Sequence, residues 1–276
     1  MVPPRDRGGP GGGRPPRGDT DDTLARELAA EAGRRLLELR ARGSDPGLLR
    51  KAGDRLSHEF LSAELAARRP GDVLLSEEGA DDPARLTASR VWIVDPLDGT
   101  REFGEPGRTD WAVHVALWER TDPGRPGHTG DLAAGAVALP AQGRVLSTAA
   151  SGGPPPRARR DGRVRIVVSR TRAPWFVRNI SDLLGAELIV LGSAGAKVAA
   201  VVSGEADAYV HAGGFYEWDT AAPVAVARAA GYHASRIDGS PLSYNQADLR
   251  MPDILVCLPA LAGVLLKAIR EVTHAL

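Results

Sequence analysis

Two apolar segments of this 276-residue chain end directly in carboxylates. The segment VLLS (73–76) is followed by Glu77, and VWIV (91–94) is followed by Asp95, with Asp98 three positions further on. The run Asp-Pro-Leu-Asp-Gly is also good turn chemistry. Taken alone, it leaves a plain turn and a cation site as alternatives.

A cation site follows if the two segments are neighbouring strands, because strand ends in layered α/β folds usually bind ligands. Glu77, Asp95 and Asp98 would then converge, and two ionised carboxylates about 4 Å apart repel by several kcal/mol at an effective dielectric constant near 20. A hard divalent cation relieves that repulsion and prefers oxygen ligands. The sequence has no Cys/His cluster typical of zinc sites, and the acids lack the alternating spacing of an EF-hand.

Two helix starts carry further candidates. Asp219 opens DTAAPVAVARAAG, where it could join the acids or simply cap the helix. In GSAGAK (192–197), backbone N–H groups together with Ser193 and Lys197 could bind a phosphate, and a structural turn is an equal alternative. It is not a Walker motif, because Val198 replaces the Ser or Thr that would hold magnesium.

A basic segment follows another apolar run. In VVSRTR, Ser169, Arg170 and Arg172 could clamp an anion. Two other reactive residue types are interpreted structurally: His114, which alternates within an apolar strand, as a core histidine, and Cys257 as buried packing.

The elements that would position these residues alternate along the chain. A first helix is predicted from Asp21 or Asp22 to Gly43, and a second from Asp54 to Pro70. Three apolar strands and a hairpin follow, and strand–helix pairs then continue to the C-terminus. This order predicts an α/β protein with sheets covered by helices.

Composition divides the chain into three parts. Residues 1–19 form a Pro/Gly/Arg tail, which we expect to be disordered and which lacks the apolar stretch of a secretory signal. An α+β lobe is predicted over 20–155 and an α/β lobe over 156–276, with the boundary in the Pro/Gly/Arg segment around 151–162.

Net charge and cysteine content limit the classes of binding partner and the cellular compartment that we expect for this protein. The formal net charge is zero, so the overall electrostatics favour neither nucleic acid nor an acidic membrane. No apolar run approaches the roughly 20 residues that span a bilayer. A single cysteine excludes an internal disulfide and is typical of a reducing compartment, so we expect a cytoplasmic protein.

Several motifs together resemble the inositol monophosphatase superfamily. WIVDPLDGTREF (92–103) is similar to its first signature and EWDTAAPVAVARAAG (217–231) to its second, while SEEG (76–79) and GSAGAKVAAVVSGEADAY (192–209) resemble further family segments in the family's order. The resemblance implies a layered αβαβα sandwich and a magnesium-dependent, lithium-sensitive phosphatase.

The resemblance also assigns roles at matching positions. The first magnesium would be held by Glu77, Asp95 and the Leu97 carbonyl, and the second by Asp95, Asp98 and Asp219. A third ion is an alternative at Asp54, which would otherwise polarise Thr100, although the family's S-P-V-T-x-A-D run is missing there. The remaining roles are water orientation by Thr100 with Glu77, and phosphate binding by the Gly99 and Thr100 N–H groups.

Within the superfamily, PLDGTREF and GSAGAK are most similar to CysQ-type 3'(2'),5'-bisphosphate nucleotidases. The implied substrate is adenosine 3',5'-bisphosphate, and also its sulfated relative, both from sulfate assimilation. Its second phosphate and nucleoside would meet Ser169, Arg170, Arg172, Ser193 and Lys197. The open alternatives are an inositol-1-phosphate or fructose-1,6-bisphosphate phosphatase and a non-catalytic sensor, and a homodimer is also open.

Overall fold

The structure is a computed structural model that describes residues 20–43, 45–121, 129–150 and 162–274. The predicted tail over 1–19 and most of the predicted lobe boundary lie outside the described residues. Within the described part of the chain, no helix combines the length and the apolarity needed to cross a membrane.

Two long helices open the described chain, and the second begins earlier than predicted. Helix α1 spans Asp21–Ala41 and α2 spans Pro46–Arg68. The predicted start of α2 at Asp54 is wrong by about two turns: the Asp45 side chain accepts hydrogen bonds from the N–H groups of residues 47 and 48, at 2.8 and 3.1 Å. Proline at the first helical position suits this cap. Asp54 therefore lies in mid-helix.

The first sheet has five strands in chain order: β1 (Val73–Ser76), β2 (Arg90–Asp98), β3 (Ala112–Arg120), β4 (Gly130–Leu139) and β5 (Arg144–Ser147). Strands β1 and β2 are parallel, and the other neighbours are antiparallel. The predicted neighbouring strands and the predicted hairpin are confirmed. A short helix, α3 (Thr100–Gly104), follows β2.

The second half alternates strands and helices as predicted. In chain order they are β6 (Arg165–Ser169), α4 (Phe176–Leu184), β7 (Glu187–Leu191), α5 (Ala194–Val202), β8 (Ala208–Tyr216), α6 (Glu217–Ala229), β9 (His233–Ser235), β10 (Arg250–Cys257) and α7 (Ala262–His274). The sheet order is β7-β6-β8-β10-β9, and β6 is parallel to both β7 and β8.

Three apolar clusters join these elements into five layers. Helices α1 and α2 cover the outer face of the first sheet, α5 and α6 pack between the two sheets, and α4 and α7 cover the outer face of the second. Cys257 is buried against that last layer, as predicted. The predicted αβαβα sandwich is confirmed. Because both sheets pack on α5 and α6, residues from the two halves of the chain meet at the ends of this middle layer.

Candidate active site

The carboxylates that follow the apolar strands converge at one edge of the first sheet. Ser76 pairs with Val94 across the parallel β1 and β2, so Glu77 and Asp95 leave the sheet together. Residues three apart on a regular strand point to opposite faces. The β2–β3 register, however, shifts between Asp95 and Asp98. Such a bulge re-aims side chains, and it allows both aspartates to face one side.

Asp219 completes this cluster from the other half of the chain. One carboxylate oxygen from each of Asp95, Asp98 and Asp219 lies within 4.8 Å of the others. Asp219 Oδ2 also accepts a hydrogen bond of 2.7 Å from the Tyr216 N–H at the start of α6, and Asp95 Oδ1 accepts one of 3.0 Å from the Leu97 N–H. The turn alternative is therefore correct for Asp95, whereas the N-cap of α6 is Tyr216 and Asp219 lies within the first turn of the helix. Both side chains still face the cluster.

Three of the four converging acids have raised pKa values, because burial and mutual repulsion oppose their ionisation. Burial, followed by the charge of Asp219, raises the pKa of Glu77 to about 7. Burial, followed by the charge of Asp98, raises the pKa of Asp219 to about 6. The pKa of Asp95 lies well above its usual range, through burial and then the charge of Glu77. Oxygen-only donors that repel one another fit a hard divalent cation.

Asp98 differs from its neighbours. Burial opposes its ionisation, but the neighbouring His114 and Lys197, with the Gly195 N–H, outweigh burial and lower its pKa. The Gly195 N–H donates to Asp98 Oδ2 at 2.7 Å. One acid of the cluster is thus kept ionised by the protein itself.

Thr100 connects this cluster to α2. Its hydroxyl lies 3.0 Å from the Leu97 carbonyl oxygen and 3.3 Å from Asp54 Oδ1. Burial, followed by the charge of Glu78, raises the pKa of Asp54 to about 6. The hydroxyl has one proton and two acceptors, so its orientation is set by residues from both β2 and α2.

Gly99 allows the motif to approach α5 closely. Its φ of +82° lies in the left-handed region, and a Cβ there would come within 2.9 Å of Ser193 Cβ. Only glycine adopts this conformation without strain and leaves the backbone accessible. The Ser193 hydroxyl accepts a hydrogen bond of 2.9 Å from the Ala196 N–H, so it caps α5.

A cavity of about 470 Å³ brings together most of the predicted site residues. Its walls include the following: Glu77, Asp95, Leu97, Asp98, Gly99, Thr100, Ser169, Arg172, Ser193, Lys197 and Asp219. A larger groove between α1 and α2, of about 770 Å³, contains none of these residues. We therefore place the chemistry in the smaller cavity.

The three predicted cations differ in their partners and in their exposure. Arg170 does not line the cavity; its guanidinium forms ion pairs with Glu102 at 2.7 Å and Glu105 at 2.9 Å. Lys197 lines the cavity but is almost fully buried, and its ammonium donates to the Gly192 carbonyl. Burial lowers the pKa of Lys197 to about 8. Arg172, by contrast, is exposed, and it donates to the Gly214 carbonyl at 2.9 Å.

Sequence reasoning missed three residues that support the site. Asp110 accepts a hydrogen bond of 2.6 Å from the Gly192 N–H, and Glu102 holds Arg170. His114 is buried, as predicted, but it also contacts Asp98. The available signal was a lone imidazole among small apolar residues on a buried strand face. Glu102 lies within the WIVDPLDGTREF motif, where the resemblance gave it no role at the site, and Asp110 lies in a segment without periodicity.

Comparison with known proteins agrees with this geometry. Residues 22–274 match the model of the inositol monophosphatase family. A 3'-phosphoadenosine 5'-phosphate phosphatase of Mycobacterium leprae is 52% identical over 262 residues, which cover 92% of this chain and 94% of that protein. The 3'(2'),5'-bisphosphate nucleotidase CysQ of Escherichia coli is 33% identical over 206 residues, covering 70% and 78%.

Solved structures share the fold at lower identity. Inositol monophosphatase-II of Staphylococcus aureus superposes with a TM-score of 0.74 at 20% identity, covering 91% of this chain and 95% of that one. SuhB of Mycobacterium tuberculosis gives 0.70 at 24% identity, covering 91% and 96%. With the family model matching nearly all described residues and the acids converging as the motifs predicted, this chain belongs to the inositol monophosphatase family.

Proposed function

We propose that this protein is a magnesium-dependent phosphatase that removes the 3'-phosphate of adenosine 3',5'-bisphosphate. The supporting observation is a cluster of three acids in one cavity with Arg172 and Lys197, in a chain 52% identical to a protein of that named activity. We include the sulfated relative, 3'-phosphoadenosine 5'-phosphosulfate, as a second substrate, and we place the activity in sulfur assimilation in the cytoplasm.

The donors present fit two or three magnesium ions. Asp95, Asp98 and Asp219 would share them with Glu77 and the Leu97 carbonyl, all of which line the cavity. Bound magnesium supplies charge neutralisation at the phosphate and activation of the attacking water. We also propose that lithium inhibits the enzyme, as the family resemblance implies.

The chain's own residues position the reactants, which is most of what phosphoryl transfer requires of a protein. The Thr100 hydroxyl, held between Leu97 and Asp54, would orient the attacking water together with Glu77. Burial, followed by the charge of Asp219, raises the pKa of Glu77 to about 7 without a cation, and a bound cation would keep this carboxylate ionised. Gly99 lets a phosphate approach the backbone N–H groups of the turn.

The second phosphate would bind the cationic side of the cavity. Arg172 is the residue best placed for it, because it is exposed and no ion pair engages it among the described residues. Lys197 and Ser169 would add charge and a hydroxyl from deeper in the cavity. Arg170 would act indirectly, since two glutamates already neutralise it.

The test is phosphate release from adenosine 3',5'-bisphosphate, inositol 1-phosphate and fructose 1,6-bisphosphate, each with Mg²⁺ and with EDTA. We expect Mg²⁺-dependent turnover with the highest kcat/KM for the nucleotide, and adenosine 5'-monophosphate as the product. Adenosine 3'-monophosphate as product would contradict the assigned regiochemistry. The absence of any turnover would favour a non-catalytic sensor.

The second candidate is an inositol-1-phosphate phosphatase. It is favoured by one observation: an inositol-1-monophosphatase of Mesorhizobium japonicum is 30% identical over 241 residues. A higher kcat/KM for inositol 1-phosphate in the same assay would select this candidate over the nucleotidase.

A further inference from the structure

His114 lies in the middle of β3 and has no role in the reaction as described so far. Its side chain is fully buried. The residues two before and two after it, Ala112 and Ala116, belong to the apolar cluster that also contains α5 and α6. An imidazole in such surroundings requires polar partners, because burial of an unpaired polar group is unfavourable.

Both ring nitrogens of His114 face oxygen atoms of the acidic motifs. Nδ1 lies 3.1 Å from the Trp218 carbonyl oxygen, and Nε2 lies 3.1 Å from Asp98 Oδ2. A carbonyl oxygen only accepts, so Nδ1 is the donor in the first contact. The second contact is within ion-pair distance but is not aligned as a full hydrogen bond among the described residues. Packing therefore holds the ring edge against this carboxylate oxygen.

This imidazole therefore joins two predicted metal ligands that are far apart in the sequence. Asp98 ends β2, and Trp218 directly precedes Asp219 in α6. Asp98 Oδ2 faces His114 and also accepts the Gly195 N–H. Both contacts are made to the same carboxylate oxygen, Oδ2.

Packing leaves His114 little freedom to leave this position. A Cβ built on Gly195 would lie 2.2 Å from His114 Nε2 and 3.0 Å from Ala112 Cβ. The N-terminal turn of α5 thus closes over the ring, and this close approach explains why glycine stands at position 195 in the GSAGAK segment.

We propose that His114 is a positioning residue for the metal site, which orients Asp98 through Oδ2 and holds the start of α6 that carries Asp219. This role of His114 rests on one part of the proposed function, which is that a cation binds at the acidic cluster. Groups behind metal ligands commonly set ligand orientation, and their loss typically costs about 10–100-fold in metal affinity or activity.

The test compares His114→Leu and His114→Gln with Val137→Ala. Val137 pairs directly opposite His114 on β4, is also buried and belongs to the same apolar cluster, so V137A perturbs the same core at a side chain that has no polar group. The measurements are the Kd for Mg²⁺ by calorimetry without substrate, the Tm, and KM for adenosine 3',5'-bisphosphate at saturating Mg²⁺.

We expect H114L to raise the Mg²⁺ Kd about 10–100-fold, and V137A to leave it within about twofold despite a lower Tm. H114Q should give an intermediate rise, because its single amide nitrogen can serve one of the two oxygens. KM at saturating Mg²⁺ should change little in all three variants.

Unchanged Mg²⁺ affinity in H114L would overturn the role, as would an equal rise in V137A. If H114L does not fold, an unchanged Kd in folded H114Q would overturn it instead. A wild-type protein that binds no Mg²⁺ would overturn the proposed function itself, so the two failures are distinguishable.

Discussion

The two sides of the active-site cavity handle charge in opposite ways. On the acidic side, Glu77, Asp95 and Asp219 all have raised pKa values, because burial and mutual repulsion act together. On the cationic side, Lys197 is held by a backbone carbonyl, and the nearby Arg170, which does not line the cavity, is paired with two glutamates. The protein itself provides partners for Arg170 and Lys197, whereas the charges of Glu77, Asp95 and Asp219 are left for an external partner.

This contrast indicates what each side recognises. Uncompensated buried carboxylates are stabilised when a divalent cation binds, so the acidic side is suited to binding a metal ion. Arg172, which is exposed and outside any ion pair described here, is the cation available to an incoming anion.

The largest effect is expected from removing the charge of Asp98. Asp98→Asn should lower kcat/KM by more than about 100-fold, since loss of groups behind a ligand already costs about 10–100-fold. The change preserves size, so the fold should persist, but the Tm should fall because the ionised carboxylate is stabilised by His114, Lys197 and the Gly195 N–H. Asp182→Asn, an exposed carboxylate in α4, is the matched control. Wild-type turnover by D98N with Mg²⁺ would contradict the acidic side as a metal site.

The next effect is expected at Thr100, where the acidic side meets α2. Thr100→Val removes the hydroxyl at nearly constant shape and should lower kcat by about 100-fold, the lower end of the range for groups that handle protons or orient water. Thr100→Ser retains the hydroxyl and should recover most of the activity. Equal kcat for the two variants would show that the hydroxyl has no part in the reaction.

Two neighbouring arginines test the cationic side. Arg172→Ala should raise KM for adenosine 3',5'-bisphosphate about 10–100-fold, in line with about 1.5–3 kcal/mol for a hydrogen bond to a charged group. KM for adenosine 3'-monophosphate, which lacks the second phosphate, should change little. Arg170→Ala is the control: it should alter KM less and lower the Tm more, because it leaves buried Glu102 unpaired. A larger rise in KM for Arg170→Ala and a larger loss of Tm for Arg172→Ala would contradict these two assignments.

The smallest effect is on stability and depends on pH. Carboxyl groups ordinarily titrate near pH 4, whereas the pKa of Glu77 is about 7 and that of Asp219 about 6 in the folded protein. The folded state therefore binds more protons than the unfolded state over this interval, so stability falls as pH rises from about 4 to 7. Without metal, the Tm should drop by at least about 2–4 °C, which is about 1 kcal/mol at this size.

Magnesium should reverse that loss. It binds the folded state and competes with protons for the same oxygens, so the Tm gain should be larger at pH 8 than at pH 5. Sodium chloride at matched ionic strength is the control, and scanning calorimetry is the measurement. A Tm independent of both pH and Mg²⁺ would contradict the charge deficit on the acidic side.

Local signals in the sequence were sufficient for the element order and for most of the site. Apolar runs and turn residues predicted the strands that end at Glu77 and Asp95, because periodicity and turn chemistry act within a few residues. The largest boundary error was the start of α2, which lies at Pro46 because Asp45 caps the helix there. Strand β8 also runs on to Tyr216, α6 begins two residues earlier than predicted, and the short strand β9 was not predicted. The resemblance of several motifs in order supplied the layers and the residue roles.

By itself, the sequence determined which residue types stand at the strand ends and helix starts, and hence the acidic chemistry of the site. Only the tertiary structure decided which charges face one another. Arg170 is paired with Glu102 and Glu105, and His114 with Asp98 and Trp218, through contacts between distant segments. No periodicity encodes these partners, because they depend on how α5 and α6 pack between the two sheets.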